Sequence, residues 1–215
     1  MIELKNITKK YGDKTVYDNF NLSLDSGRIT AVLGESGSGK TTLLNVIGGL
    51  TDYEGEVTGV SKPVSFVFQR DMLVRNLTVG ENVRLVAENS DVESALEQFG
   101  LAGAADKYPE QLSAGMARRV AIIRAFAFPS DTVLMDEPFV NLDVALKYYL
   151  TEKVKRAVKS AGKTAVIVTH DVKEAVSVAD RIIVLSRGKI VSDVREITEE
   201  TENFLFNVML NLNKD

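Results

Sequence analysis

Residues 34–41 read Gly34-Glu35-Ser36-Gly37-Ser38-Gly39-Lys40-Thr41, with Thr42 following. The spacing GxxxxGK[ST] makes a phosphate-binding loop when a strand precedes it and a helix follows. Glycines there let the main chain approach an anion without a Cβ clash. Successive N–H groups and the helix N-terminus then point at the phosphates. In this reading the loop from Gly34 through Glu35, Ser36, Gly37, Ser38 and Gly39 to Thr42 cradles a nucleoside triphosphate. Lys40 reaches the β- and γ-phosphates, and the Thr41 hydroxyl ligates Mg²⁺. The bland alternative is a glycine-rich turn that matches by chance.

Two more segments could complete the chemistry. An apolar run ends in Met135-Asp136-Glu137-Pro138. Asp136 suits a Mg²⁺ ligand, direct or through water, and Glu137 suits a general base that polarises an attacking water. Without the phosphate loop, the same residues would read as an ordinary loop start. His170, the only histidine, follows another apolar run. Alone it would be incidental; beside a phosphate site it points to contact with the γ-phosphate or the water.

The elements that must position these groups are legible as short β-branched runs at 29–33, 64–68, 132–135, 164–168 and 182–185. Their hydrophobicity is nearly continuous, which is how strands buried on both faces read. Helical stretches such as 41–50 and 146–161 lie between them. The alternation predicts an α/β domain with a largely parallel sheet. The first ~28 residues predict short strands in an antiparallel meander. A helical subdomain, about residues 70–128, is expected as an insertion in this single domain of 1–215. In the tail, Phe204, Leu205, Val208, Met209 and Leu212 fall on one helix face, which would pack on the body of the domain or meet a partner.

Composition bounds the function. The 215 residues carry 26 Lys plus Arg and 30 Asp plus Glu, a formal charge of -4. No basic surplus favours nucleic acid as a partner. With no cysteine, disulfides and thiolate metal sites are excluded. The N-terminus lacks a signal-peptide pattern, and no apolar run approaches the ~20 residues needed to cross a bilayer. If the protein works at a membrane, another chain must span it.

The order of these motifs resembles the nucleotide-binding subunit of ATP-binding cassette (ABC) transporters over essentially the whole chain. Gln69, after Ser65-Phe66-Val67-Phe68, is similar to the family's Q-loop glutamine, a further Mg²⁺ contact. Leu112-Ser113-Ala114-Gly115-Met116 stands in the place of the LSGGQ signature. Asn141-Leu142-Asp143 resembles the D-loop, and Tyr11 the aromatic that stacks on adenine. The resemblance implies a P-loop NTPase fold and an ATPase with ATP and Mg²⁺ as cofactors. It implies a homodimer or heterodimer in which Ser113, Gly115 and Asp143 of one subunit close over ATP on the other. Read locally, Ser113 is a helix cap and Tyr11 part of a turn.

The implied partners are an integral membrane permease, contacted around Asp71, Met72, Leu73 and Arg75, and an extracytoplasmic solute-binding protein. The implied location is the cytoplasmic face of the membrane. Phe66-Val67-Phe68-Gln69 and Met135-Asp136-Glu137-Pro138-Phe139 look most like the importer subgroup for nitrate, sulfonates and taurine. Ala114, Met116, Asn141 and Arg75-Asn76 depart from the family pattern. An ATP-sandwiching scaffold with little hydrolysis and a non-transport assembly factor are the alternatives.

Overall fold

The computed structural model describes residues 1–212. Strands β1 (Ile2–Tyr11) and β2 (Lys14–Leu24) form an antiparallel hairpin, followed by β3 (Ile29–Leu33), α1 (Lys40–Gly48), β4 (Glu54–Thr58) and β5 (Val64–Val67). Helices α2 (Val79–Arg84), α3 (Val92–Gln98) and α4 (Ala114–Ala127) come next. They lead to β6 (Thr132–Asp136), α5 (Val144–Ser160), β7 (Thr164–Thr169), α6 (Val172–Val178), β8 (Arg181–Ser186), β9 (Lys189–Val194) and α7 (Thr201–Leu212).

One sheet has the order β5-β6-β7-β3-β8-β9; the other is β2-β1-β4. The pairs β5–β6, β6–β7, β7–β3 and β3–β8 are parallel, and only β9 runs antiparallel. Side chains alternate across a strand, so the buried strands divide their residues between two cores. Ile29, Ala31, Leu33, Val133, Met135, Ala165 and Ile167 face the layer of α2–α7. Val32, Leu134, Val166, Val168 and Ile183 face α1 and the meander residues Leu4, Ile7, Tyr17, Phe20 and Leu22. Both faces are apolar, and that is why these runs show no polar alternation.

Two elements differ from the sequence expectation. The meander strands are long rather than short, and their third partner is β4, which comes after the phosphate loop. Burial of Glu54, Gly55 and Glu56 is slight, so β4 has no hydrophobic signature; its main-chain pairing with β1 makes it a strand. Strand β9, with an exposed edge, was hidden for the same reason.

The tail helix forms, and Leu205 is fully buried with Val208, Met209 and Leu212 packed beside it on the α-layer core. Phe204 corrects the expected face: it is 50% exposed, one helical step (~100°) round from Leu205. Leu205→Ala should therefore cost about 2–5 kcal/mol, while Phe204→Ala should stay within about 0.5 kcal/mol. Urea unfolding of the two variants checks this.

Candidate functional site

In the large sheet, four neighbouring strands, β5, β6, β7 and β3, are parallel, so their carboxyl ends share one rim. Gln69 follows β5, Asp136 and Glu137 close β6, His170 follows β7, and the phosphate loop follows β3. A cavity of about 450 Å³ opens at this rim, lined by Ser36, Gly37, Lys40, Thr41, Gln69, Asp136, Glu137, Val140 and His170. Ligands gather at such carboxyl-end crevices in α/β sheets. A larger depression of about 630 Å³ lies near the opposite strand ends. Its Lys159 and Asp180 are already paired at 2.6 Å, and it holds none of the phosphate-binding groups.

The loop's shape follows from close approaches. A Cβ at Gly34 would lie 2.2 Å from the Leu185 carbonyl oxygen and 2.6 Å from Ser38 Oγ, so only glycine fits. Gly39, the residue before α1, has φ of 110° and supplies no side-chain cap. The first N–H groups of α1 are thus left for an outside acceptor. The buried Tyr17 hydroxyl donates to the Gly39 carbonyl at 2.9 Å, fastening the loop from the meander side. Ser38 Oγ is buried with no partner.

The charged groups sit as an anion site requires. Lys40 Nζ donates to the Gly34 and Glu35 carbonyls at 2.7 and 2.8 Å. Burial lowers its pKa, against the attraction of Glu137, Asp136 and Glu35. The Thr41 hydroxyl donates to Asp136 Oδ2 at 2.9 Å. Burial raises the Asp136 pKa, a cost that a neighbouring cation would offset. Among the described residues no cluster of three His, Cys, Asp or Glu side chains could hold a metal. The hydroxyl–carboxylate pair suits instead an ion that takes further oxygen ligands from phosphate and water, as Mg²⁺ does.

Glu137 has φ of 48°, a left-handed conformation that costs a non-glycine residue free energy. Its side chain is 12% exposed, and His170 Nδ1 lies 3.0 Å from both of its carboxyl oxygens. Glu137 N donates to the Val168 carbonyl at 3.0 Å, which ties this turn to β7.

The remaining sequence candidates do not line this cavity. Tyr11 is 48% exposed, with the Lys9 ammonium 4.5 Å above its ring. Ser113 and Asp143 are exposed and cap α4 and α5, accepting from Met116 N at 3.2 Å and Leu146 N at 2.9 Å. A Cβ at Gly115 would meet Leu146 Cδ2 at 2.9 Å, so glycine lets α4 approach α5. Ala114 beside it is exposed, and its methyl meets nothing within its own chain that would exclude it. Asn141 has φ of 59°, a conformation its short polar side chain tolerates.

Of the four expected partner contacts, Asp71 turns inward to Arg118 at 3.3 Å and Leu73 packs on the core. Met72 and Arg75 remain exposed. Beside them Leu50, Phe66, Phe68, Val86, Arg124 and Phe128 line an apolar groove of about 340 Å³.

Sequence reading missed two buried charges. Arg118 interrupts the apolar face of α4. Glu174, on α6 behind His170, is 4% exposed and lies 3.7 Å from Lys147. Lys147 also donates to Asp171 at 2.7 Å, which joins α5 to α6. A lone charge among the apolar residues Val172, Ala175 and Val178 is the signal that could have found Glu174.

Residues 17–140 match the family described as ABC transporter. The intermembrane phospholipid transport ATP-binding protein MlaF of Haemophilus influenzae is 35% identical over 219 residues, covering 90% of this chain and 83% of MlaF. The sulfate/thiosulfate import ATP-binding protein CysA of Escherichia coli K12 is 39% identical over 213 residues, covering 88% of this chain and 58% of CysA. This chain thus spans less than two thirds of CysA. A dimeric post-hydrolysis structure of the ATP-binding cassette MJ0796, bound to ADP and Pi, is 33% identical with a TM-score of 0.79. It covers 90% of this chain and 97% of that one. These likenesses bear out the expected α/β fold with its antiparallel meander and helices.

Burial raises the Glu174 pKa from 4.5 to about 7, with Lys147 and Thr169 opposing the shift. The folded chain therefore holds this proton more tightly than the unfolded one. The resulting stabilisation is complete below pH 4.5 and is lost as pH rises through about 7. A loss on the order of 3 kcal/mol is expected across that window. Glu174→Gln should flatten this part of the Tm-versus-pH curve, which calorimetry of both forms would show.

Proposed function

This chain belongs to the ABC transporter family as an ATP-binding ATPase cassette, and we propose that two such subunits close around Mg-ATP to drive a membrane permease. The convergence of four parallel strand ends on the one cavity of about 450 Å³ that holds Lys40, Thr41, Asp136 and Glu137 carries this reading. The exposed Ser113 and Asp143, with the half-buried Gly115, support a second subunit, because the Ser113 hydroxyl and the N–H groups at the start of α4 lie outside their own chain's cavity.

In the closed pair, Lys40 exchanges its carbonyl partners for β- and γ-phosphate oxygens, and the free N–H groups of α1 bind the same phosphates. Thr41, Asp136 and Gln69 hold Mg²⁺, which when bound supplies charge that neutralises the phosphate oxygens. The Glu137 carboxylate accepts the proton of the attacking water. His170 holds that carboxylate by its 3.0 Å contact and contacts the γ-phosphate side of the cavity. Tyr11 stacks on the base, and Ser113, Gly115 and Asp143 complete the partner's site.

On the membrane side, Met72, Arg75 and the neighbouring apolar groove receive a short helix of the permease, at the cytoplasmic face. Among the described residues no helix is long and apolar enough to cross a membrane, so a separate spanning chain suits the motor. The direction is import of a small solute of the nitrate, sulfonate or taurine kind, delivered by a solute-binding protein. The likeness to CysA, named for sulfate and thiosulfate import, supports an oxyanion. Phospholipid transport is a second reading, favoured by MlaF and its more complete overlap.

Two experiments test this. Glu137→Gln should bind ATP as the parent does but lose at least ~10² in turnover; phosphate release at the parental rate would remove Glu137 from its role. The tagged chain, taken from gently solubilised membranes of its own cell, should bring a multi-spanning permease with it. Recovery from the soluble fraction alone, with no such partner, would overturn the transport reading.

A further inference from the structure

The buried guanidinium of Arg118 has a place in this site that neither the sequence motifs nor the family match assigns. Its side chain is 5% exposed. One nitrogen donates to the Phe68 carbonyl at 2.7 Å; the other donates to the Gln69 carbonyl at 2.7 Å and to the Glu137 carbonyl at 3.3 Å. Asp71 lies 3.3 Å away and balances the charge. Six residues along α4, Arg124 donates to the Met72 and Asp71 carbonyls at 2.8 and 3.1 Å. The main chain of 68–72 is therefore gripped at four carbonyls by two arginines of one helix.

The Glu137 carbonyl is a telling partner, because Glu137 sits at φ of 48°. A left-handed residue outside glycine persists only where its surroundings hold it. Beyond its bond to Val168 and the 3.3 Å contact from Val140 N, Arg118 is what fixes that peptide on the side facing Gln69. A planar fork holds its donors in one fixed geometry and so sets the spacing of the two loops, which a flexible, compact ammonium does not.

We infer that Arg118 is a positioning residue for hydrolysis: it bridges the main chain at Gln69 to the main chain at Glu137. The aim of the Glu137 carboxylate then depends on where the 68–72 loop sits. A partner pressing on the exposed Met72 would move the loop that Arg124 holds at 71–72 and Arg118 holds at 68–69, and so reach the carboxylate without touching it. This inference rests on the role of Glu137 given above.

The test measures kcat and KM for ATP hydrolysis on the full chain, in the parent and in Arg118→Gln, each alone and combined with Glu137→Gln. A misaimed base should lower kcat by about 10- to 100-fold and leave KM within about twofold, as expected for an interaction that matters only in the transition state. Because Arg118 acts through Glu137, Arg118→Gln should cost nothing further in the Glu137→Gln background. A parental kcat, or losses that multiply in the double variant, would overturn the inference. If Arg118→Gln fails to fold, Arg118→Lys keeps the charge beside Asp71 but not the fork. Its kcat should still fall, and a parental value would overturn the inference equally. Failure of the Glu137 role itself is separable, since Glu137→Gln alone would then turn over normally.

Discussion

A parallel sheet that is buried on both faces can present polar chemistry only at its ends, and the order β5-β6-β7-β3 decides which ends meet. Strands β6 and β7 pair residue for residue from Thr132 with Thr164 to Asp136 with Val168. Ile29 pairs with Ala165 and Leu33 with Thr169 on the next strand. This register brings Asp136, His170 and the phosphate loop to the same height, although 95 residues separate Thr41 from Asp136. Slipping one strand by a residue would turn its apolar side chains to the wrong core. The site is therefore held by the same packing that holds the fold.

Around this rim lie charges that are costly in isolation. Lys40, Asp136, Arg118 and Glu174 are all buried, and desolvation is the largest influence on the pKa of each. Buried charge persists only with compensation. For Arg118 it comes from within the chain, through carbonyls and Asp71; for Glu174, Lys147 compensates only in part, and the carboxyl holds its proton up to about pH 7. For Lys40 and Asp136 the internal partners, two carbonyls and one hydroxyl, are groups that phosphate and a hard cation could replace. The difference separates residues whose charge is met within the chain from residues whose partners a ligand could replace.

Helix α4 links the two kinds. Its N-terminus carries Ser113 and Gly115, its buried face carries Arg118 against Glu137 and Gln69, and Arg124 reaches toward the apolar groove at Phe68 and Phe128. One element thus touches the segment proposed to meet a second subunit, the turn carrying the carboxylate, and the loop proposed to meet a membrane partner. A helix displaced as a body shifts all three together.

Much of this was legible in the residues themselves. The spacing of Gly34 to Thr41, the carboxylates of Asp136 and Glu137 at a strand end, and the apolar runs of β3, β6, β7 and β8 are local patterns with local causes. Strands β4 and β9 left no pattern, because exposed edges are held by main-chain bonds rather than side-chain burial. The stripe that includes Phe204 is wider than the core that covers it, and periodicity alone does not say how wide that core is. Local patterns alone mark a phosphate loop, the metal-ligand and base candidates, and an α/β chain to carry them. Strand order and packing bring Gln69, Glu137 and His170 into one cavity, keep Ser113 and Asp143 out of it, and bury the ionisable side chains of Arg118 and Glu174. The reason is physical: spacing along a chain constrains neighbours within a few residues, whereas strand order and register bring together groups that nothing local connects.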